Sequence, residues 1–435
     1  MVARGTFITQ NKKLGGTYQN FISQRRSFLN LSARGFVALP LPLSWGADDV
    51  MTITAEDFQR NTLGLLGYAY DSEEMKPLRE VFRNSHTVYL QALKGADAVA
   101  AQNTFATAKY KGTRGNALQI AVRTNVDTPT AFDVQTLLDG RVVEEQIAVT
   151  TAANLVDNDF VVFKKDATLA INAGLALTGG TDGAVDITVH QAALEELEQF
   201  NFNVLICDST EATVKALYVA YTNRLRNDVG LKFQLVAQGL VTPNSEGIID
   251  VFNESTEGAS KLVYWIGGAS AGVAVNASNE NKLYDGEYPV SFEGAKTKTQ
   301  LIALIEGGKY VIQRSNSEAR VLADINSFTE FTPEKNEDFS LNQVIRVLDQ
   351  IAVDTANIFN TRYLGKVPND ADGRLSLWSD IVAHRNELNR LRAIQNYDPK
   401  ELSVTQGVQK NGVAATEVIE TAVAMSKLYI TTVVA

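Results

Sequence analysis

The sequence of 435 residues contains very little cysteine and histidine. Its single cysteine, Cys207, cannot form an intramolecular disulfide or supply a zinc site of the usual two-to-four-cysteine kind. The three histidines, His86, His190 and His384, lie far apart, so no paired-histidine metal spacing such as HExxH is present. We therefore expect no metal site built from these residue types.

Long apolar runs are also missing. No run approaches the roughly 20 apolar residues of a membrane helix, and the amino terminus lacks the apolar region of a signal peptide. Acidic residues outnumber basic ones by 50 to 40, so the basic footprint of a nucleic-acid-binding protein is absent except in the short amino-terminal arm. We expect neither membrane insertion nor a nucleic-acid partner.

The charges are distributed unevenly along the chain. No acidic residue precedes Asp48, so the first 47 residues carry a net charge of +6 and the remainder carries −16. The basic residues of this first stretch are Arg4, Lys12, Lys13, Arg25, Arg26 and Arg34. This asymmetry predicts a basic arm that lies on an acidic neighbouring subunit.

A chain of this length exceeds one hydrophobic core, and its composition changes along the sequence. We predict a multi-domain α/β and α+β protein with an inserted β-sandwich domain and extended terminal arms. The predicted units are an arm over 1–20, a small α/β domain over 21–97, a β-sandwich over 98–187, an α/β core over 188–330, an α+β domain over 331–427 and a strand arm over 428–435.

Local patterns support these units. Alternating apolar residues fill the predicted sandwich, where Asp139-Gly140 is typical of a two-residue hairpin turn. Apolar strands alternate with helices between about 190 and 330, which indicates a largely parallel sheet in which KLVYWI is one strand. Two helices are predicted near 341–359 and 375–395, followed by a return to β-structure.

Both ends of the chain are strand-like. Unpaired strands expose edges that recruit other strands, so two such ends suggest assembly by strand exchange between subunits. The alternative is that the two ends pair with each other inside one subunit.

The sharpest catalytic motif is Gly268-Ala269-Ser270-Ala271-Gly272, which fits the G-x-S-x-G pattern of serine hydrolases. The only later histidine, His384, lies on the apolar stripe of a helix in another predicted domain. We interpret the motif as a close-packing turn of small residues, and an α/β serine hydrolase using Ser270 remains the enzymatic alternative.

Other motifs are incomplete. Residues 369–373 resemble part of a calcium-binding loop but lack its first aspartate and last glutamate. The glycines of Gly267–Gly272 have the spacing of a P-loop, but the lysine of that motif is missing. Glu195, Glu196 and Glu198 are interpreted as a solvated helix face, and Cys207 as a core residue. We predict no catalytic, cofactor-binding or metal-binding residues.

Several segments together resemble the phage tail sheath family of contractile tails and phage-tail-like bacteriocins. GTFITQNKKLGGTYQNFIS resembles the family's amino-terminal arm, although Gly15-Gly16 stands where a proline-glycine turn is common. ATAKYKGTRGNALQIAV resembles the entry to its β-sandwich, and YWIGGASAG with LYDGEYPV resembles its core. The carboxy-terminal domain is matched by INSFTEFTPEKNEDFSLNQVIRVLDQIAVD, NTRYLGKVPNDADGR and KLYITTVVA.

The resemblance implies a subtilisin-like core fold without enzymatic activity. It implies a sheath subunit that polymerises as stacked six-fold rings around a tail tube and contracts to drive the tube through a bacterial envelope. The implied partners are further copies of the chain, the tube protein, and baseplate and tail terminator proteins. Assembly in the bacterial cytoplasm is implied, and a static tube or shell protein is the structural alternative.

The resemblance also implies roles for particular residues. The inter-subunit strands would contain Arg4, Thr6, Phe7 and Ile8 at one end and Leu428, Tyr429, Ile430, Thr432 and Val434 at the other. Possible tube contacts, on the helix near 375–395, are Arg385, Arg390 and Arg392.

Overall fold

The computed structural model describes the backbone of residues 3–5 and 16–18 and the whole chain over 31–434. Two short strands, β1 (Ala3–Gly5) and β2 (Gly16–Tyr18), pair in parallel. Within the described residues, no helix combines the length and the apolar character needed to cross a membrane.

The first part of the body consists of three strands and two helices. They are β3 (Phe36–Pro42), β4 (Met51–Thr54), α1 (Ala55–Leu66), α2 (Lys76–Phe82) and β5 (Thr87–Leu93). Helix α1 begins after Thr54, whose hydroxyl accepts a hydrogen bond from the Asp57 backbone amide at 3.1 Å and so caps the helix.

The next six strands form two antiparallel sheets. They are β6 (Ala106–Ala108), β7 (Leu118–Thr124), β8 (Phe132–Leu138), β9 (Arg141–Val149), β10 (Val161–Phe163) and β11 (Asn172–Ala176). One sheet has the order β11-β7-β8-β9, the other pairs β10 with β6, and both contribute to one apolar core. The predicted hairpin is confirmed, because Asp139 and Gly140 both adopt positive φ between β8 and β9.

The two ends of this inserted unit lie side by side. The Gly95 amide donates to the Asp182 carbonyl at 2.8 Å, and Val99 and Thr181 exchange backbone hydrogen bonds of 3.0 Å. The unit is therefore an insertion whose entry and exit share one junction.

The chain then alternates helices and strands. These are α3 (Ile187–Leu197), β12 (Val204–Ile206), α4 (Ala212–Arg224), β13 (Gln234–Gln238), β14 (Ile248–Val251), α5 (Val263–Gly272), α6 (Lys298–Glu306), β15 (Lys309–Tyr310), β16 (Ile312–Ser315) and β17 (Glu318–Val321). Strands β16 and β17 form a separate hairpin.

A single seven-stranded sheet has the order β15-β14-β13-β12-β3-β5-β4. Every neighbouring pair in it is parallel except β4 with β5, which confirms the predicted parallel character. The segment predicted as a small domain over 21–97 contributes β3, β4 and β5 to this same sheet, because β3 pairs directly with β12. The inserted sheets separate the two halves in sequence and so conceal their continuity.

The predicted strand KLVYWI is wrong, because this segment forms helix α5. The helix is buried on all sides, so it shows no amphipathic period by which a helix could be recognised. Its glycines allow close packing. A side chain at Gly267 would collide with Ile206 of the sheet, and one at Gly272 would collide with the Asn84 carbonyl beyond α2.

The carboxy-terminal region contains two long helices and two small antiparallel sheets. Its elements are α7 (Asn342–Ile358), α8 (Ala371–Arg390), β18 (Ile394–Gln395), β19 (Ser403–Gln406), β20 (Val413–Thr416) and β21 (Glu420–Thr421). Strand β18 pairs with β21, and β19 pairs with β20. The molecule is thus a mixed α/β multi-domain protein with several sheets.

Candidate functional site

The carboxy-terminal segment 423–434 is exposed throughout and belongs to no helix or strand. The side chains of Leu428, Tyr429, Ile430 and Val434 are between 75% and 92% exposed, and Thr432 is also exposed. A contiguous apolar stretch of this kind is unusual on a monomer surface and marks a site of protein interaction. Its strand structure, predicted from sequence, is not formed within this single chain.

The amino-terminal arm is described only in part. Arg4 lies in β1, where its backbone is the register partner of Thr17 in β2, while Thr6, Phe7 and Ile8 lie outside the described residues. Among the described residues, neither β1 nor β2 pairs with the carboxy-terminal segment, so the alternative in which the two ends pair inside one subunit finds no support there.

An apolar groove lies beside the hairpin formed by β19 and β20. Within the described residues these two strands pair only with each other, so the outer edge of each is free. The hairpin is attached to α8 by the Trp378 indole, which donates to the Leu402 carbonyl at 3.0 Å. The groove has a volume of about 380 Å³ and is lined by Ala371, Arg374, Leu375, Trp378 and Val404. A free edge beside apolar side chains is the arrangement that binds an extended peptide by strand addition.

The three arginines considered as tube contacts lie in different environments. Arg385 is only 1% exposed, and its guanidinium donates to Glu417 at 2.7 Å and to Thr355 at 2.9 Å. Arg390 is exposed and paired with Glu387 one turn earlier, and Arg392 is exposed after the end of α8. The role of Arg385 as a possible tube contact is therefore corrected, because its buried guanidinium is paired with Glu417 inside the domain.

Ser270 does not occupy a nucleophile elbow. That motif needs a sharp turn between a strand and a helix, whereas Ser270 lies inside α5. Its hydroxyl is buried and has no hydrogen-bond partner among the described residues. His384 is engaged elsewhere, since its Nε2 lies 2.7 Å from Asp354 and its Nδ1 lies 2.6 Å from Arg385. A serine hydrolase site is not assembled.

The other motifs have structural roles. Residues 369–373 begin α8, where the Asp370 carboxylate accepts from the Gly373 amide at 2.8 Å, and Gly267–Gly272 lies within α5 rather than in a loop. Burial raises the pKa of Cys207 to about 12, so its thiol is not a nucleophile at neutral pH. Glu195 and Glu196 are exposed, and the described residues contain no cluster of metal-binding side chains.

A buried polar stripe on α7 was not anticipated from the sequence. Gln343, Gln350 and Asp354 are all less than 5% exposed, and their spacings of seven and four residues bring them to one face of the helix. The signal was available, because polar residues recur at helical spacing within an otherwise apolar pattern. Burial raises the pKa of Asp354, but hydrogen bonds from His384, Ser32 and Gln350 outweigh it and hold that pKa below its usual value.

Four family profiles cover the chain from residue 34 onward. They are described as the tail sheath protein Gp18 domain III N-terminal region (residues 34–91), the phage tail sheath protein beta-sandwich domain (93–182), the phage tail sheath protein central domain (183–327) and the phage tail sheath C-terminal domain (334–435).

Individual proteins agree with these profiles. The chain is 30% identical to the phage-like element PBSX protein XkdK of Bacillus subtilis, over 98% of each chain. It is 33% identical to a sheath tail protein from Desulfitobacterium hafniense of known crystal structure, with a TM-score of 0.78 over 93% of this chain and 100% of that one. The helical sheath of the anti-feeding prophage in its contracted state has the same fold, with a TM-score of 0.56 and 14% identity over 98% and 99% of the two chains.

Proposed function

The chain belongs to the phage tail sheath family, and on that premise we propose that it is the repeating subunit of a contractile sheath. Members of this family are structural proteins of phage tails and tail-like particles, not enzymes. In the proposed assembly, copies of the chain stack as six-fold rings around a tail tube. The sheath shortens when the baseplate triggers it and drives the tube through a bacterial envelope.

The exposed apolar segment 423–434 carries this proposal. An isolated subunit leaves these side chains in water, whereas a neighbouring subunit would cover them. We propose that residues 428–434 add a strand to the free edge of the β19–β20 hairpin of a neighbour, with apolar side chains in the groove beside Trp378. Backbone hydrogen bonds of this kind persist while subunits rotate.

The amino-terminal arm is proposed to make the second inter-subunit contact, through Arg4, Thr6, Phe7 and Ile8. The arm carries positive charge and the rest of the chain is acidic, which favours contact between subunits. Arg34 does not belong to the arm, because its guanidinium is held in the body, where it donates to the carbonyls of Val273 and Ser270. Raised salt should therefore weaken assembly more than folding.

Further partners follow from the same proposal. Arg390 and Arg392, both exposed at the end of α8, remain the proposed tube contacts. Baseplate and tail terminator proteins would bind the ends of the polymer, and assembly would take place in the bacterial cytoplasm. We also propose that the seven-stranded sheet is a subtilisin-like fold without a catalytic triad.

The deciding experiment is electron microscopy of the purified full-length chain at increasing concentration, with and without deletion of residues 428–435. We expect rings or tubes from the intact chain, and a folded protein that does not polymerise from the deletion variant. Val241→Ser, which changes an equally exposed apolar residue outside the arm, is the control and should polymerise normally. Normal tubes from the deletion variant would contradict the role given to the arm.

Contraction is tested separately, by imaging assembled particles before and after a trigger. Two helical lattices of different length and diameter are expected from a contractile sheath. A single lattice under all conditions would instead identify a static tube or shell protein.

A further inference from the structure

Both ends of the described body are attached to the same helix. We define the N-terminal root as residues 31–34, which precede β3, and the C-terminal root as residues 417–424, from which the exposed segment continues. Leu31 of one root and Ile419 of the other pack against one small apolar cluster that includes Val347 of α7. The two arms of the proposed sheath subunit therefore start from a shared support.

The N-terminal root is bound by the middle of α7. The Ser32 amide donates to Asp354 Oδ1 at 3.0 Å, and the Gln350 side-chain amide donates to the Ser32 carbonyl at 3.1 Å. The side-chain amide of Asn357 donates to the Ser32 hydroxyl at 3.0 Å. Three side chains thus fix one residue through its amide, its carbonyl and its hydroxyl.

The C-terminal root is bound by the beginning of the same helix. The side-chain amide of Gln343 donates to the Ala422 carbonyl at 3.2 Å, while its oxygen accepts from the Ala424 amide at 3.0 Å. Gln343 is almost fully buried whereas Ala424 is exposed, so these two bonds fix the point at which the chain leaves the body. Asp354 follows Gln343 by eleven positions in α7, which corresponds to about 16 Å of rigid helix between the two attachment points.

A continuous series of hydrogen bonds also joins the two roots. From Ser32 it passes to Asp354, then to His384 Nε2 at 2.7 Å, and from His384 Nδ1 to Arg385 at 2.6 Å. Arg385 completes it by donating to Glu417 at 2.7 Å. Asp354, His384 and Arg385 are all nearly inaccessible to solvent.

The position of the proton on His384 follows from its neighbours. A guanidinium group only donates hydrogen bonds, so His384 Nδ1 must be the acceptor from Arg385. Nε2 then carries the proton and donates a hydrogen bond to the Asp354 carboxylate. Both nitrogens of one planar ring are engaged, so the ring fixes the orientation of Asp354 relative to Arg385.

We infer that the series Ser32–Asp354–His384–Arg385–Glu417 is a positioning device that holds the N-terminal root in a fixed relation to the C-terminal root. The inference rests on the proposed function, because the relation between the arms matters only when both bind neighbours. His384 is the positioning residue at the centre of the series. A change at one root is transmitted to the other through it.

Two substitutions of His384 separate hydrogen bonding from packing. His384→Gln supplies a donor for Asp354 and an acceptor for Arg385, whereas His384→Leu fills a similar volume with neither. Asp380→Asn is the matched control, because Asp380 is a carboxylate of the same helix as His384 but accepts hydrogen bonds from Arg362 at 3.0 Å and Tyr363 at 2.8 Å, neither of which belongs to a root.

The measurement is hydrogen–deuterium exchange of the full-length chain under conditions where it is not polymerised. The informative amides are those of Ser32 and Ala424, and the Leu235 amide in the central sheet reports global opening. We expect His384→Leu to speed exchange at both roots by about tenfold, the effect of losing a buried hydrogen-bonded partner. His384→Gln should stay within about twofold of the original, and Asp380→Asn should leave both roots unchanged relative to Leu235.

Glu417→Gln provides a second test if His384→Leu does not fold. It alters a partly exposed residue at the C-terminal root, and we expect faster exchange at Ser32, at the other end of the series. Acceleration confined to the root nearest the substitution, or unchanged exchange at both roots, would overturn the inference. Because exchange is measured on the monomer, failure of the original chain to polymerise would refute the proposed function without deciding this result.

Discussion

Helices α5 and α7 are both buried, but against different kinds of surface. Helix α5 packs apolar side chains such as Trp265 and Ile266 into the core beside the central sheet. Helix α7 presents Gln343, Gln350 and Asp354 to backbone groups of the two roots. Apolar burial is strong but has no direction, whereas hydrogen bonds specify geometry. The comparison indicates that packing around the central sheet supplies most of the stability of the fold, whereas the hydrogen bonds of α7 orient the two roots.

The buried carboxylates show the same contrast. Burial raises the pKa of Glu80 and of Asp250 in the central region, despite their hydrogen-bonded partners. For Asp354, burial also acts to raise the pKa, but the hydrogen bonds that its carboxylate accepts outweigh burial and lower the pKa below its usual value. Compared with the unfolded chain, the folded protein therefore favours protonation of Glu80 and Asp250 and ionisation of Asp354.

The largest effect is expected in the apolar helix. Ile266→Ala should lower the free energy of unfolding by about 2 to 5 kcal/mol, because it leaves a cavity beside the central sheet. Denaturant unfolding measures this loss, and Val418→Ala, at an exposed site, should stay within about 0.5 kcal/mol of the original. Equal effects of the two substitutions would remove the distinction between the regions.

A smaller but still substantial effect is expected from Arg385→Ala. Removing the guanidinium leaves Glu417 and His384 without their partner, at a cost of about 2 to 3 kcal/mol. Arg390→Ala, on the same helix, removes only an exposed pair with Glu387 and should leave the free energy of unfolding almost unchanged, because solvent screens such pairs. Thermal or denaturant unfolding that ranks the two arginines in the opposite order would contradict the burial argument.

Acid should affect the α7 region before the central sheet. The folded-state pKa of Asp354 lies below that of the unfolded chain, so its stabilisation is present above about pH 4 and is lost as pH falls through the folded value. Glu80 and Asp250 have raised pKa values, so their protonation on acidification favours the fold.

Hydrogen exchange followed from pH 6 towards pH 3, corrected for the intrinsic rate of exchange, should therefore show earlier opening at Ser32 than at Leu235. Asp354→Asn should reduce this pH dependence at Ser32. If the amides of Ser32 and Leu235 open at the same pH in the original chain, the α7 region and the central sheet unfold together and the distinction between them is wrong.

The smallest effect on folding is expected from the double substitution Arg390→Gln and Arg392→Gln. Both side chains are exposed, so the free energy of unfolding should stay almost unchanged. Binding of the sheath to its tube should nevertheless weaken, as measured by co-sedimentation with purified tubes. Unchanged tube binding would remove these residues from the proposed contact.

The sequence was sufficient where a local pattern determines the structure. The Asp139-Gly140 turn joins two strands, and the helix predicted near 341–359 is α7, which spans Asn342–Ile358. In each case neighbouring residues carry the signal, either as a turn requiring positive φ or as helical spacing.

The failures concern relations between distant residues. Nothing local shows that Val37 lies beside Val204, because the insertion separates them along the chain. The buried helix α5 lacks a polar face, so its continuous apolar sequence is also typical of a buried strand. Arg385 looks like any surface arginine until Glu417 and Thr355 are brought to it by the fold. Long-range pairing, not propensity, decides each of these cases.

The shared junction of the inserted sheets has a consequence for how such chains diversify. Because Gly95 and Asp182 are hydrogen-bonded neighbours, residues 98–181 could be shortened, exchanged or replaced by another folded domain without moving the strands on either side. The separation of the two ends would have to be matched, and so would the apolar face that packs on Trp45, Leu63 and Tyr68 of the body. The inserted sheets are thus the segment at which a displayed enzyme or receptor-binding domain could be attached while the seven-stranded sheet keeps its strand order.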